Sequence, residues 1–238
     1  QVGIDESGPV IVKFYRPGRW TKEVIIEEHD STQQLMDADI SVVAPLRDEH
    51  QQSLFHYQGF DFAIYPRRGG HAPNLDDLDT LFNLGRSLGR IHAVGRNRSF
   101  VHRPRLNVQT FGEESVTFLL DNQFIPAHLE DSYRDLARQV LDMAQKRFDD
   151  TPFAPLRLHG DCHPGNILWR DDTAHFVDFD DARMGPSVQD FWMLLANDRH
   201  EQASQLSELI AGYEEFAEFD RRELKLIEPL RSLRLLHY

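Results

Sequence analysis

Cysteine is almost missing from this chain: the single one in 238 residues is Cys162. An internal disulfide is therefore excluded, and the composition suits a reducing compartment. No apolar run reaches the length of a helical span, about 18 residues, and no basic leader precedes an apolar core, so the chain reads as a cytoplasmic protein with no membrane partner. Positive charge is also scarce. Lys and Arg number 26 against 39 Asp and Glu, a net charge of −13, which argues against binding a nucleic-acid backbone and leaves room for a neutral or cationic substrate. What is present is enough apolar material for a core: 40% hydrophobic residues exclude a disordered chain, and the length fits one large or two small domains. There is no internal repeat and no low-complexity tract. The sequence starts at Gln1 rather than Met and finishes in an apolar run from Leu233 to Tyr238, so a fragment shortened at both ends is expected.

The first 65 residues alternate like strands around one helix. Pro9 to Tyr15 carries the β-branched run Val10-Ile11-Val12 followed by Lys13. Thr21 is placed to cap a helix reaching about Asp37, and Val42 to Arg47, Ser53 to Tyr57 and Phe60 to Tyr65 read as further strands, the last two joined across Gln58-Gly59. Pro66-Arg67-Arg68-Gly69-Gly70 breaks the pattern as a linker does. Beyond it the spacing turns helical. Leu75, Leu78, Leu81, Phe82, Leu88 and Ile91 form one predicted face, and Leu129, Tyr133, Leu136, Val140, Ala144 and Phe148 another. A helix is expected from Pro186 through Asp190 to Ala196, another from about Glu201, and a third from Asp220, where Asp220 and Glu223 have the spacing of a capping box. The predicted fold class is α+β, with a small strand-rich lobe over residues 1–65, a hinge at 66–70 and a larger helical lobe over 71–238.

One run carries chemistry. In Leu158-His159-Gly160-Asp161-Cys162-His163-Pro164-Gly165-Asn166, four residues separate Asp161 from Asn166. That is the interval at which a kinase catalytic loop holds the carboxylate that accepts a hydroxyl proton beside an amide ligand for Mg²⁺. Ile167-Leu168-Trp169, a polar turn at Asp171-Asp172 and His175 to Phe179 then read as a hairpin that returns Asp178 to Asn166, where a kinase has its second metal ligand. Phosphoryl transfer needs oxygen ligands around Mg²⁺ and one free carboxylate near the attacking oxygen, which explains these residue types at this spacing. Lys13, Glu28, Asp161, Asn166 and Asp178 stand in kinase order. Lys13 is expected at the phosphates of ATP, paired with a helix glutamate; Glu27 and Glu28 both qualify, and Glu28 shares the inward face of Leu35 two turns on. Because Pro66 lacks an N–H, the carbonyl of Tyr65 and the amide of Arg67 are the expected adenine partners. His159 and His163 could be read as zinc ligands, but the Pro164-Gly165 step opposes the helix that pairing needs, and both read as scaffold. Asp190 is either a helix N-terminal carboxylate or a brace on the catalytic loop, and Cys162 reads as small buried packing. Gly160 replaces the Arg with which protein kinases read a phosphorylated loop, and only seven residues separate Asp178 from Pro186, so no phosphorylation-gated loop is expected.

His159 to Asn166 and Asp178 to Asp180 resemble the H-G-D-x-H-x-x-N and D-[FLW]-[DE] hallmarks of the aminoglycoside-phosphotransferase and choline-kinase superfamily. Within it, the stretches Val12 to Thr21, Glu27-Glu28-His29 and Val177 to Arg183 resemble the bacterial stress response kinase A group. The resemblance implies a two-lobed protein-kinase-like fold and ATP- and Mg²⁺-dependent transfer to Ser or Thr of a protein substrate. It also implies autophosphorylation and a part in stress survival. Asp161 would be the proton acceptor, Asn166 and Asp178 the Mg²⁺ ligands, with Asp178 essential to catalysis. Family members carry a nucleotide-covering loop and a strand ahead of the lysine strand, and here twelve residues precede Lys13. The rival expectations are a kinase of small amino alcohols, aminoglycosides or homoserine, and a non-catalytic scaffold.

Overall fold

β-branched and aromatic residues on either side of Gln58-Gly59 build the first sheet. In the computed structural model, which describes residues 2–4 and 8–237, so that Gln1 and Tyr238 lie outside the described residues, the sheet holds β1 (Val2–Ile4), β2 (Gly8–Phe14), β3 (Phe55–Tyr57) and β4 (Phe60–Pro66). All neighbours are antiparallel, in the order β1-β2-β4-β3, and Lys13 sits opposite Ala63. Gln58 and Gly59 both take positive φ, 47° and 85°, the backbone a tight two-residue hairpin requires. Helix α1 (Lys22–Asp37) is inserted between β2 and β3 and buries Val24, Ile25, Glu28 and Leu35. Its limits match the sequence reading, but Thr21 makes no side-chain cap bond.

Val42 to Arg47 is not a strand. Only Val42 forms a bridge, to Phe176, while the Val43 amide donates to Phe176 and the Leu46 amide to Ile64. These isolated bonds to Phe176 and to β4 do not extend into a ladder, and the segment serves as an extended connection tying the small lobe to the catalytic hairpin.

The larger lobe consists of α2 (Leu78–Gly95), α3 (Glu114–Asp121), α4 (Glu130–Asp149), α5 (Gln189–Trp192), α6 (Arg199–Tyr213) and α7 (Ile227–His237), with two small two-stranded sheets, β5 (Leu156–Leu158) with β8 (Arg183–Gly185) and β6 (Ile167–Arg170) with β7 (Thr173–Phe176). Leu81, Leu84 and Leu88 of α2 are fully buried against a core that includes Phe176, Phe191 and Tyr213; each contributes roughly 1.5–3 kcal/mol of burial. Among the described residues no helix is long and apolar enough to cross a membrane.

Three helical expectations need correction. On the face predicted for α4, Ala144 is buried and Tyr133, Val140 and Phe148 are half-buried, but Leu129 and Leu136 are exposed, and Ala137, outside that face, is buried. From Arg221 to Leu226 the chain is a 3₁₀ helix, and Glu223 does not reach back to Asp220; its carboxylate accepts from the Ser187 hydroxyl at 2.7 Å and the Val188 amide at 3.1 Å. The helix expected through Ala196 is a single turn, and the π turn at Gln109–Glu113 running into α3 was not foreseen, since its sequence lacks a clear apolar period.

Candidate active site

β5 delivers the catalytic loop and β8 fixes its far side, Leu158 lying opposite Arg183. The turn that follows is possible only because residue 160 is glycine: its φ is +85°, and a Cβ there would lie 2.1 Å from the Asp181 carbonyl oxygen. The absence of an arginine at this position therefore has a steric reason. Asp190 braces the loop from beneath. Fully buried, it accepts from the amides of His159 at 2.8 Å and Gly160 at 2.9 Å and hydrogen-bonds His92 Nε2 at 3.0 Å. Burial alone would raise its carboxyl, but the His92 contact and the Gly160 amide outweigh that and hold it below the usual carboxylate range.

His159 and His163 are both occupied as scaffold. His159 Nε2 meets the Val177 carbonyl at 2.9 Å, and His163 Nδ1 accepts from the Gly165 amide at 3.0 Å as cap of a 3₁₀ turn over Pro164–Asn166. Cys162 is completely buried, and burial pushes its thiol well up. Asn166 donates through Nδ2 to the Asp161 carbonyl at 3.0 Å. The β6–β7 hairpin turns at Asp171 and Asp172, both at positive φ, and returns the chain so that the Val177 amide donates to the Asn166 carbonyl at 3.0 Å. Asp178 thereby follows directly beside Asn166. It adopts left-handed backbone, φ 60°, a conformation that costs a non-glycine residue energy and recurs at functional sites.

Across the cleft, Lys13 Nζ lies 2.6 Å from Asp178 and 3.4 Å from Asp180, so the lysine strand converges with the loop at 178–181, called the metal loop for the ligand expected in it. Burial would lower the Lys13 ammonium, but Asp180, Asp178 and Glu28 together raise it. Arg19 reaches Asp180 and Asp181, each at 3.2 Å, and Arg183 holds Asp181 at 2.9 Å.

The expected Lys13–Glu28 ion pair is not formed; the lysine is drawn to the metal-loop carboxylates instead. Glu28 is 2% exposed and its Oε2 accepts no hydrogen bond among the described residues. Burial pushes its carboxyl up to about 7 against the pull of Lys13 and Arg103. A cleft of about 490 Å³, within the range typical of ligand pockets, is lined by Ile11, Lys13 and Tyr65 of the sheet, Glu28 of α1, Arg67 of the hinge, and Leu168 and Asp178 of the larger lobe. At the hinge the Arg67 amide donates to the Pro9 carbonyl at 3.3 Å, extending the sheet, so that amide is engaged rather than free for a base. The Tyr65 hydroxyl is held at 3.1 Å by Tyr15, which in turn meets buried His29 at 2.8 Å.

Two site residues escaped sequence reading. Arg234 of α7 places Nη1 2.7 Å from Asp161 Oδ1, and Arg103 inserts beneath the metal loop. Neither stands near a motif. Asp180 and Arg19 were at least visible inside the stretches that carry the resemblance.

A small sheet with a lysine over a cleft, a helical lobe and a loop that sets Asp161 beside Asn166 and Asp178 define a phosphotransferase of protein-kinase-like fold. The description of the phosphotransferase enzyme family, APH, matches residues 1–227, and the chain belongs to that family; it is a kinase. It is 45% identical over 228 residues to stress response kinase A of Escherichia coli strain K12, covering 96% of this chain and 69% of that protein. It is 44% identical over 228 residues, with the same coverage, to the serine/threonine protein kinase RdoA of Salmonella typhimurium. Among solved structures, amicoumacin kinase hAmiN in complex with AMP-PNP, Ca²⁺ and Ami superposes with a TM-score of 0.80 at 19% identity, covering 98% of this chain and 74% of that one. A microcompartment-associated aminopropanol kinase gives 0.73 at 17% identity, over 98% of this chain and 77% of that one. At that identity the likeness is one of fold.

The segment between Asp178 and Pro186 contains no Ser, Thr or Tyr, so no phosphorylation switch is expected within it. Ser187, the nearest hydroxyl, is 1% exposed and bonded to Glu223. Ser187→Ala, and protein purified free of phosphate, are expected to start at close to the normal initial rate in a phosphorylation time course. A lag abolished by prior autophosphorylation at Ser187 would contradict this.

Proposed function

We propose that the chain transfers the γ-phosphoryl of ATP to a Ser or Thr hydroxyl of a protein, itself included, as part of a cytoplasmic stress response. In this reading residues 1–65 form the nucleotide lobe, 66–70 the hinge and 71–238 the lobe that receives the acceptor. Lys13 holds the phosphates that are not transferred. Asp161 accepts the acceptor's hydroxyl proton as that oxygen bonds phosphorus. Tyr65 and Arg67 border the base, with the Arg67 side of the hinge contributing contact rather than its amide.

A divalent cation fits the donor set. The carboxylates of Asp178 and Asp180 already gather the Lys13 ammonium, and Asn166 lies beside them. Mg²⁺ keeps several waters and needs only one or two protein carboxylates, so a donor set this small is sufficient. Asn166 and Asp178 would hold it, and when bound it neutralises charge on the phosphate oxygens.

The observation that carries the reading is the 2.6 Å contact between Lys13 and Asp178, because it brings the phosphate-holding strand and the metal loop to one cleft from opposite lobes. The name of the Salmonella typhimurium relative, a serine/threonine protein kinase, favours a protein acceptor. Incubating the protein with labelled ATP and a casein-type protein, then with choline and kanamycin, decides it: label on protein alone is expected, and label on a small amino alcohol or aminoglycoside alone overturns the protein-kinase reading.

A further inference from the structure

Helix α1 carries two adjacent glutamates, and only Glu28 faces the nucleotide cleft. Glu27 points the other way. Its carboxylate accepts three consecutive backbone amides from the chain beyond α2, those of Val101 at 2.5 Å, His102 at 2.8 Å and Arg103 at 2.9 Å. Burial would raise the Glu27 carboxyl, yet these three amides hold it below its usual range.

The segment so gripped then sends a side chain back. Arg103 is 4% exposed and spends its guanidinium on three carbonyls: Nη1 on Val24 of α1 at 3.1 Å, Nε on Ala182 and Nη2 on Asp180. The Trp20 ring covers it, 5.3 Å from the guanidinium carbon. A guanidinium is a rigid planar fork, so three bonds in three directions fix α1 and the Asp180–Ala182 backbone at one separation.

We propose that Glu27 and Arg103 are positioning residues forming a clasp that sets helix α1 and the metal loop in their working relation. The inference rests on the kinase reading above. Kinases that use a phosphorylated segment to seat this helix need an arginine at the catalytic loop; here the glycine at 160 leaves no room for one and Ser187 is buried, so the clasp supplies the seating permanently.

The test uses Glu27→Ala, Glu27→Gln and Arg103→Lys. The glutamine keeps the length of Glu27 but offers an N–H toward the amide cluster, and the lysine keeps the charge of Arg103 but not the fork. Mn²⁺ affinity in the presence of AMP-PNP is read by electron paramagnetic resonance, and amide hydrogen exchange over 179–182 is followed alongside. Each variant is expected to weaken Mn²⁺ binding by about 10- to 100-fold, as loss of a supporting group behind a metal ligand does, and to speed exchange at 179–182. The pair Glu27→Ala and Arg103→Lys should be non-additive. Should Arg103→Lys fail to fold, Glu27→Gln decides, since its site is only half-buried. A lowered melting temperature with unchanged Mn²⁺ affinity would make the clasp merely structural and overturn the proposal. If the unaltered protein binds no Mn²⁺ with AMP-PNP, the kinase reading fails instead.

Discussion

Asp161→Asn should lower kcat by roughly 10²–10⁴-fold while leaving AMP-PNP binding nearly unchanged. The carboxamide has almost the same shape as the carboxylate, keeps an oxygen for its neighbours and cannot take a proton. At 1.36 kcal/mol per decade the loss corresponds to about 3–5 kcal/mol of transition-state stabilisation. The contact with Arg234 complicates the variant, because the change removes the anion 2.7 Å from a guanidinium that is itself three-quarters buried. A melting curve must therefore accompany the kinetics, and Arg234→Ala serves as its control: it removes the same ion pair and leaves the base. Asp178→Ala should behave differently. It removes the partner of Lys13 and the proposed metal ligand together, so Mg²⁺-dependent nucleotide binding should disappear in calorimetry rather than turnover alone. Full turnover in Asp161→Asn would end the assignment of Asp161 as proton acceptor, and equal nucleotide affinity in Asp178→Ala would end that of Asp178 as ligand.

What the sequence made legible follows from the range over which each constraint acts. Asn166 and Asp178 flank the two ends of one hairpin and Asp161 stands in the loop just before it, so their relation is carried by local turns that the spacing made visible. Glu28 was distinguishable from Glu27 by helical period, and its burial agrees. The task of Glu27 was invisible because its partners are backbone amides, which any sequence at 101–103 supplies. Arg234 and Arg103 reach the site from other elements through tertiary packing, with no local signature at either end. The helix preferences failed for a related reason. On α4 the period groups Leu129, Leu136 and Ala144 on one stripe, but of these three only Ala144 is buried, together with Ala137 from beside the stripe, and which part of a helix surface is covered depends on the partner rather than on the helix. Val42 to Arg47 has strand-like residues but makes only isolated bonds to β7 and β4 instead of a ladder. Its bonds to Phe176 and Ile64 join the two lobes.

Asp190 offers the largest stability effect. Its two oxygens satisfy the amides of His159 and Gly160 and a ring nitrogen of His92 in a site without solvent access. Asp190→Ala leaves those donors buried without acceptors, and breaking a buried charged contact of this kind costs about 3–5 kcal/mol. For a chain this long that is a fall in Tm of about 10 °C. Asp190→Asn is the sharper probe, since in either orientation its carboxamide can accept one amide and must turn an N–H toward the other. The sign of the pH dependence follows from the depressed carboxyl. A group whose pKa is lower folded than unfolded contributes stability that is complete above its unfolded value, near 3.9, and is lost as pH falls through the folded value. The gap in unfolding free energy between the unaltered protein and Asp190→Asn should therefore be full at neutral pH and narrow below about pH 4. Urea titrations at neutral and acidic pH measure it directly. Because the same amides fix the backbone at Asp161, kcat should fall in Asp190→Asn even at temperatures where the variant is fully folded. A gap that stays constant with pH, or a folded variant with normal kcat, would mean that Asp190 neither acts as an anion in the fold nor holds the catalytic loop in place.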